Sequence, residues 1–397
     1  MNCQRTQFAC GVVCLSVEAG RLDALQRVLN AEYRSGKFGF AVVFFSKSGF
    51  SAQKITSLMR IAAPGLQYAA CSTAGELTPA GMVEGQAMVL LWPSALFRIK
   101  PSRIGQISET GIERTVSAVA DSKRSFLETL PSDHRNVFAV CLMDGLSYKE
   151  EMMTAAIHWG LEEVPLLGGS AGDDLNFSDT SLILNGDDTG NCALLLLIST
   201  SVPSHIFKTE NFVPTNQKLV VTRSDPARRI VYELNALPAA IAYAEVIGTD
   251  PASLAPQSFA SHPLVVRVGG EYYCRSIQKV NNDHSLSFFC AIDDGIVLTV
   301  AEPQGMAQTT RDAFQSAREV LGAVDFVLGF DCVLRQIDAR NRQVTHKMSE
   351  IYRQNNVIGF NTYGEQYRAM HLNQTFTGIA FGPTQQATES ALERRAG

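Results

Sequence analysis

The sequence predicts α/β and α+β architecture in two domains: an N-terminal α/β sheet domain over residues 38–225 and a C-terminal domain over residues 226–383, whose mixed, largely antiparallel sheet has flanking helices. Three observations carry this. At 397 residues the chain is too long for one ordinary core. Its first half alternates strand-like apolar runs with helical stretches, the rhythm of an α/β sheet. Past residue 225 short strand-like runs follow one another across Gly269-Gly270, Asn281-Asn282-Asp283-His284 and Asp293-Asp294-Gly295, which is the turn chemistry of an antiparallel meander.

Taken in order, residues 1–37 read as a strand and helix lead-in, and residues 38–45 form a continuous apolar run of the kind buried on both faces of a sheet. Ser51 caps a helix running to residue 61 that Pro64-Gly65 ends. Strands follow over 66–71 and 87–92, a helix over 108–130, a strand over 136–143, a helix over 150–160 and a strand over 164–167. Residues 192–198, the longest apolar run, read as a buried strand. The stretch 201–225, with Pro203, Pro214 and weak periodicity, reads as the join between domains. A short helix over 238–246 precedes strands over 263–268, 271–280, 285–292 and 295–301. Helices over 309–321 and 340–354 flank a strand over 326–334, strands over 357–362 and 375–381 close the fold, and residues 384–397 read as a polar, helical tail.

Composition narrows the function. A formal charge of −5 without a clustered Lys/Arg stripe argues against nucleic-acid binding. The longest apolar run falls far short of the roughly 20 residues that span a bilayer, so no membrane insertion is expected. No basic, apolar leader opens the chain, and the nine cysteines contain no Cys-x-x-Cys pair. A cytoplasmic, reducing setting is expected.

Thr-x-Gly-Glu occurs twice after apolar runs, as Thr73-Ala74-Gly75-Glu76 and Thr362-Tyr363-Gly364-Glu365. Glycine at a strand end lets backbone approach a ligand, and a neighbouring carboxylate can fix a polar group. The pattern suggests two related halves facing one pocket. The simpler alternative is that each glutamate closes its own strand end. Gly168-Gly169-Ser170-Ala171-Gly172-Asp173-Asp174 satisfies the Gly-x-Ser-x-Gly pattern of a serine hydrolase. The residues after it are turn-rich rather than helical, so a tight pocket-lining loop with Asp173 or backbone N–H groups facing a ligand competes with catalysis by Ser170. Seven histidines are scattered without metal-ligand spacing. His371 stands apart, between Met370 and Leu372 on the way into the last strand. One histidine can hold a haem iron, although such a residue is commonly a hydrogen-bonded core group.

Residues 71–76, 165–174, 238–240 and 359–365, in that order, resemble FIST proteins. That resemblance implies paired N-terminal and C-terminal FIST domains acting as an intracellular sensory module for small ligands. Without a fused kinase or receiver segment, the chain is most similar to stand-alone bacterial members that bind haem, sense nitric oxide and act on a histidine kinase or cyclic-di-GMP enzyme, and so on biofilm behaviour. The implied cofactor is non-covalent haem b, with His371 as the candidate iron ligand. The pocket is expected to involve Thr73, Gly75, Glu76, Ser170, Gly172, Asp173, Tyr363, Gly364, Glu365 and Asn373. A second expectation keeps the fold but gives the pocket a small metabolite such as an amino acid, its ammonium held by the two glutamates. A third is a Ser170 hydrolase; the chain is expected not to be an enzyme.

Overall fold

Three stretches of chain build the same four-stranded sheet. The computed structural model describes residues 3–384 apart from residues 133 and 135, so the tail expected over 384–397 lies almost wholly outside the described residues. The first sheet contains Val13–Glu18, Phe38–Ser46, Gln67–Thr73 and Gln86–Pro93. The second contains Phe97–Ile104, Asn136–Asp144, Leu166–Ala171 and Ala193–Thr200, and the third Ser204–Glu210, Phe326–Cys332, Val357–Thr362 and Thr375–Phe381. In each, the spatial order is first, fourth, second, third. The fourth strand is antiparallel to both neighbours, and the second and third are parallel. Parallel neighbours need a long crossover. The helices Ala52–Ala62, Glu150–Leu161 and Thr345–Gln354 supply it.

Each repeat sends its next hairpin to another repeat's sheet. Glu76–Thr78 pairs with Val357–Thr362, Glu365–Tyr367 with Leu166–Ala171, and Leu182–Leu184 with Gln67–Thr73. First hands to third, third to second, second to first, and the ring closes. One apolar core fills its middle, with Phe44, Trp92, Phe138, Phe360 and Phe381 drawn from all three sheets. Phe44 and Phe360 approach to 4.8 Å between centroids, and Phe138 and Phe381 to 6.0 Å. Separate apolar layers lie beneath the helices outside each sheet. The expected α/β class with mixed sheets is what the chain adopts.

Residues 212–303 form a lobe inserted into the third repeat, between its first strand and the helix Met306–Leu321. An eight-stranded, largely antiparallel sheet wraps its own core around Tyr243, Phe259 and Phe288. The chain enters and leaves side by side, where Gln304 N donates to Asn211 O at 2.6 Å. The expected join over 201–225 is instead the strands Ser204–Glu210 and Phe212–Asp225. Their half-exposed faces carry polar residues that dilute the apolar signal. A division at residue 225 therefore falls inside this lobe, and the ring is assembled from both sides of it. The helix expected over 108–130 is broken at Gly111, whose φ of +76° helices do not adopt. That expected over 340–354 is two, Val333–Asn341 and Thr345–Gln354. Among the described residues, no helix is long and apolar enough to cross a membrane.

Candidate functional site

The third strand of every repeat ends at the centre of the ring, and the three ends interlock through backbone. Ala74 N donates to Asn361 O at 3.0 Å, and Asn361 N to Gly75 O at 2.8 Å. Tyr363 N donates to Ser170 O at 3.0 Å, and Ser170 N to Gly364 O at 2.8 Å. Gly172 N donates to Ser72 O at 3.1 Å, and Ser72 N to Ser181 O at 3.0 Å. Ser72, Ser170 and Asn361 are thus equivalent positions, and the loop 168–174 is a third copy of the two Thr-x-Gly-Glu turns. Its resemblance is masked by a one-residue offset and a longer connection running to Ser181. Gly364, at φ +154°, shows why the motif needs glycine: a Cβ there lies 2.6 Å from His371 Nε2 and closer still to Cε1.

The two glutamates do not share a partner. Glu76 Oε1 accepts from Thr73 Oγ1 at 2.5 Å and its Oε2 from Gln86 N at 3.0 Å. Glu365 accepts from the Thr362 hydroxyl and, at 2.6 Å, from Thr375 Oγ1. Burial raises Glu76 to about 7 and Glu365 to about 8 against these donors. Each acid closes its own hairpin and has a weakened charge at neutral pH, so the expected carboxylate clamp on a ligand ammonium is not what the geometry offers. Asp173 is also internally engaged. It accepts from the N–H groups of Phe177, Ser178 and Asp179 at 2.8, 2.7 and 2.9 Å and from the Tyr363 hydroxyl. Burial opposes its charge, yet these donors hold it below the usual carboxylate value.

Ser170 is fully buried within a strand, and its Oγ accepts from Gln366 Nε2 at 2.9 Å. Among the described residues, no imidazole hydrogen-bonds to it and no helix opens after it, so the geometry of a nucleophile elbow is missing. Gln366 Nε2 also stands 3.4 Å from His371 Nδ1. His371 is 3% exposed and pushed down to about 4, by burial first, against the pull of Glu151 and with the help of Arg229 and Arg275. Its ring is therefore neutral at pH 7.

These groups belong to the seam where the inserted lobe meets the ring. Arg229 of the lobe donates Nη2 to Glu150 Oε2 at 2.5 Å and to Glu151 Oε2 at 3.1 Å, at the start of helix Glu150–Leu161. Its Nη1 donates to Phe289 O at 2.8 Å, and the Tyr148 ring lies 4.9 Å from its guanidinium. Ala291 N closes the contact by donating to Glu151 Oε1 at 3.0 Å. Phe177 stacks on Tyr363 at 4.6 Å and reaches toward Phe289 at 6.4 Å. Among the described residues, several buried groups find no hydrogen-bond partner: both amide atoms of Asn373 (two residues beyond His371), Gln366 Oε1 and Arg229 Nε. Arg275 donates to Cys274 O at 3.2 Å and, among the described residues, forms no ion pair. Orphaned buried polar atoms are costly, and a native fold keeps them where water or a ligand completes them.

Thus Tyr363, Gly364, Ser170 and Gly172 come together at the ring centre, with His371 beside them and Asn373 on the same hairpin. Thr73, Glu76 and Glu365 serve their own turns. Arg229, Arg275, Glu150, Glu151 and Gln366 were not singled out by sequence. The paired acids in the first turn of a helix were their only legible trace. A neutral imidazole suits iron ligation, but the His371 ring lies on Gly364 and its charged neighbours are Glu151, Arg229 and Arg275. A porphyrin needs apolar walls, so these residues do not fit haem in this arrangement. Among the described residues, no three His, Cys, Asp or Glu side chains cluster to hold a metal ion.

Residues 39–237 match the FIST N domain and residues 239–368 the FIST C domain. The two matches meet inside the inserted lobe. An uncharacterized protein of Methanocaldococcus jannaschii is 22% identical over 260 residues, covering 56% of this chain and 50% of that protein. The chain spans about half the length of that relative. With both domain matches in order over one continuous fold, the chain belongs to the FIST family, whose domains are small-ligand sensor domains of signal transduction.

Proposed function

We propose that this protein is a sensor that closes its inserted lobe over a small polar metabolite, an amino acid among the candidates, at the seam beside His371. The observation that carries this reading is the set of unsatisfied groups there: an amide donor and two amide acceptors from Asn373 and Gln366, with Arg275 as a cation for a carboxylate. Such a ligand is bound without being transformed: Ser170, the nucleophile offered by the sequence, meets Gln366 Nε2 in place of a base. The lobe is joined to the ring by two adjacent crossings, a hinge geometry. Ligand shifts the lobe only to the extent that it binds the closed arrangement more tightly than the open one.

The expected output is a signalling partner such as a histidine kinase or a cyclic-di-GMP enzyme, in the cytoplasm. The haem and nitric oxide reading draws support from the neutral His371 imidazole alone. A thermal-melting screen of the full chain against free amino acids and haem tests the proposal. A ligand at about 100 times its Kd stabilises by about 2.7 kcal/mol. The expected result is a rise in melting temperature with at least one amino acid, abolished by Asn373→Leu. Stabilisation by haem alone contradicts it.

A further inference from the structure

A hollow of about 320 Å³ opens at the opposite end of strand Leu166–Ala171 from Ser170. The hairpin exchange creates it. Arg368 N donates to Leu166 O at 2.9 Å, which pins the tip of the third repeat's hairpin against the second sheet, while strand Ser204–Glu210 runs along the other side. The hollow's apolar surface comes from Val137, Pro165 and Ile206, which stay partly in water, and Ser204, His205 and Arg368 add polar groups around its rim. Among the described residues, no Asp or Glu lines it. Arg368 lies 5.5 Å from the Tyr367 ring and, among the described residues, forms no ion pair. The nearby Lys208 pairs with Glu210, so among the described residues Arg368 is the unpaired cation of this rim. A concave surface of this volume that sets an unpaired cation beside apolar groups can take a small molecule.

We propose that this hollow binds a small organic anion with an apolar body: its carboxylate meets Arg368, and its hydrocarbon or aromatic part covers Val137, Pro165 and Ile206. Charge alone is insufficient, because solvent screens an ion pair at the surface. The apolar contact adds to it in proportion to the area removed from water. This inference does not rest on the seam reading.

Phenylacetate is the probe, titrated calorimetrically into the full chain, with phenylethylamine and inorganic phosphate as controls. Phenylacetate is expected to bind, and each control at least tenfold more weakly. Arg368→Gln is expected to weaken phenylacetate at least tenfold, and Ser204→Glu, which adds a like charge at the rim, to abolish it. Both positions are at the surface, and an unchanged melting temperature of the free variants verifies their fold. Asn373→Leu, at the seam, leaves phenylacetate affinity unchanged. The proposal is overturned if phenylacetate shows no binding at millimolar concentration, if phosphate binds equally well, or if affinity survives Arg368→Gln. Loss of binding in Asn373→Leu also overturns it, because the probe then sits at the seam.

Discussion

Replacing Glu365 by Gln isolates what a fully buried acid does to this fold. Its oxygens accept from the Thr362 and Thr375 hydroxyls, and burial nevertheless holds the carboxyl at about 8 against an ordinary value of 4.5. A carboxyl whose folded value is raised leaves stability intact below its unfolded value and loses it as pH climbs through the folded one. At 1.36 kcal/mol per pH unit the loss in alkaline solution is on the order of 4 to 5 kcal/mol. Gln has the same shape and no charge to bury, and either threonine hydroxyl can rotate to accept from its amide. Glu365→Gln is therefore expected to lie within about 1 kcal/mol of the parent at pH 5 and to exceed it by several at pH 9. The gap opens between about pH 4.5 and 8 and stays flat above. Urea unfolding at pH 5, 7 and 9 measures it. Parallel stability curves, or a variant less stable at pH 9, refute the reasoning.

Gly364→Ala puts a methyl group against the His371 ring and Leu372 O at a φ of +154°, and overpacking with backbone strain is expected to cost roughly 2–4 kcal/mol by urea denaturation. Arg229→Ala leaves Glu150 and Glu151 without their cation and is expected to cost roughly 3–5 kcal/mol at pH 8. Burial already raises Glu150 to about 7, so protonation relieves the loss as pH falls toward 5, and melting at both pH values checks this. The absorption spectrum of protein produced with ample iron and haem precursor is expected to lack a Soret band. A band that disappears in His371→Ala overturns the assignment of the seam to a polar metabolite.

Much of the ring was legible because its inner strands are apolar on both faces: the runs over 38–45, 357–362 and 375–381 correspond to strands Phe38–Ser46, Val357–Thr362 and Thr375–Phe381. Ser204–Glu210 was not, since it is an edge strand with half its residues toward solvent. The Thr-x-Gly-Glu pair pointed to a repeat, and both copies do lie at equivalent turns. The third copy escaped notice because Ser170 aligns with Ser72 rather than with Thr73. Exchange of hairpins between repeats leaves no local pattern, which is why a cut at residue 225 looked natural. Arg229 meets Glu150 across 79 positions of sequence, and a contact of that kind imposes no periodicity on either partner. Loss of register and distance, rather than weak propensity, hid the seam.

Hydrogen–deuterium exchange of the full chain, with and without an amino acid that raises its melting temperature, tests the account most directly. Closure of the lobe on a seam-bound ligand predicts slowed exchange in 148–151, 289–291 and 364–374, with the outer strands of the lobe unchanged. Protection that appears elsewhere while these three segments exchange as before contradicts it.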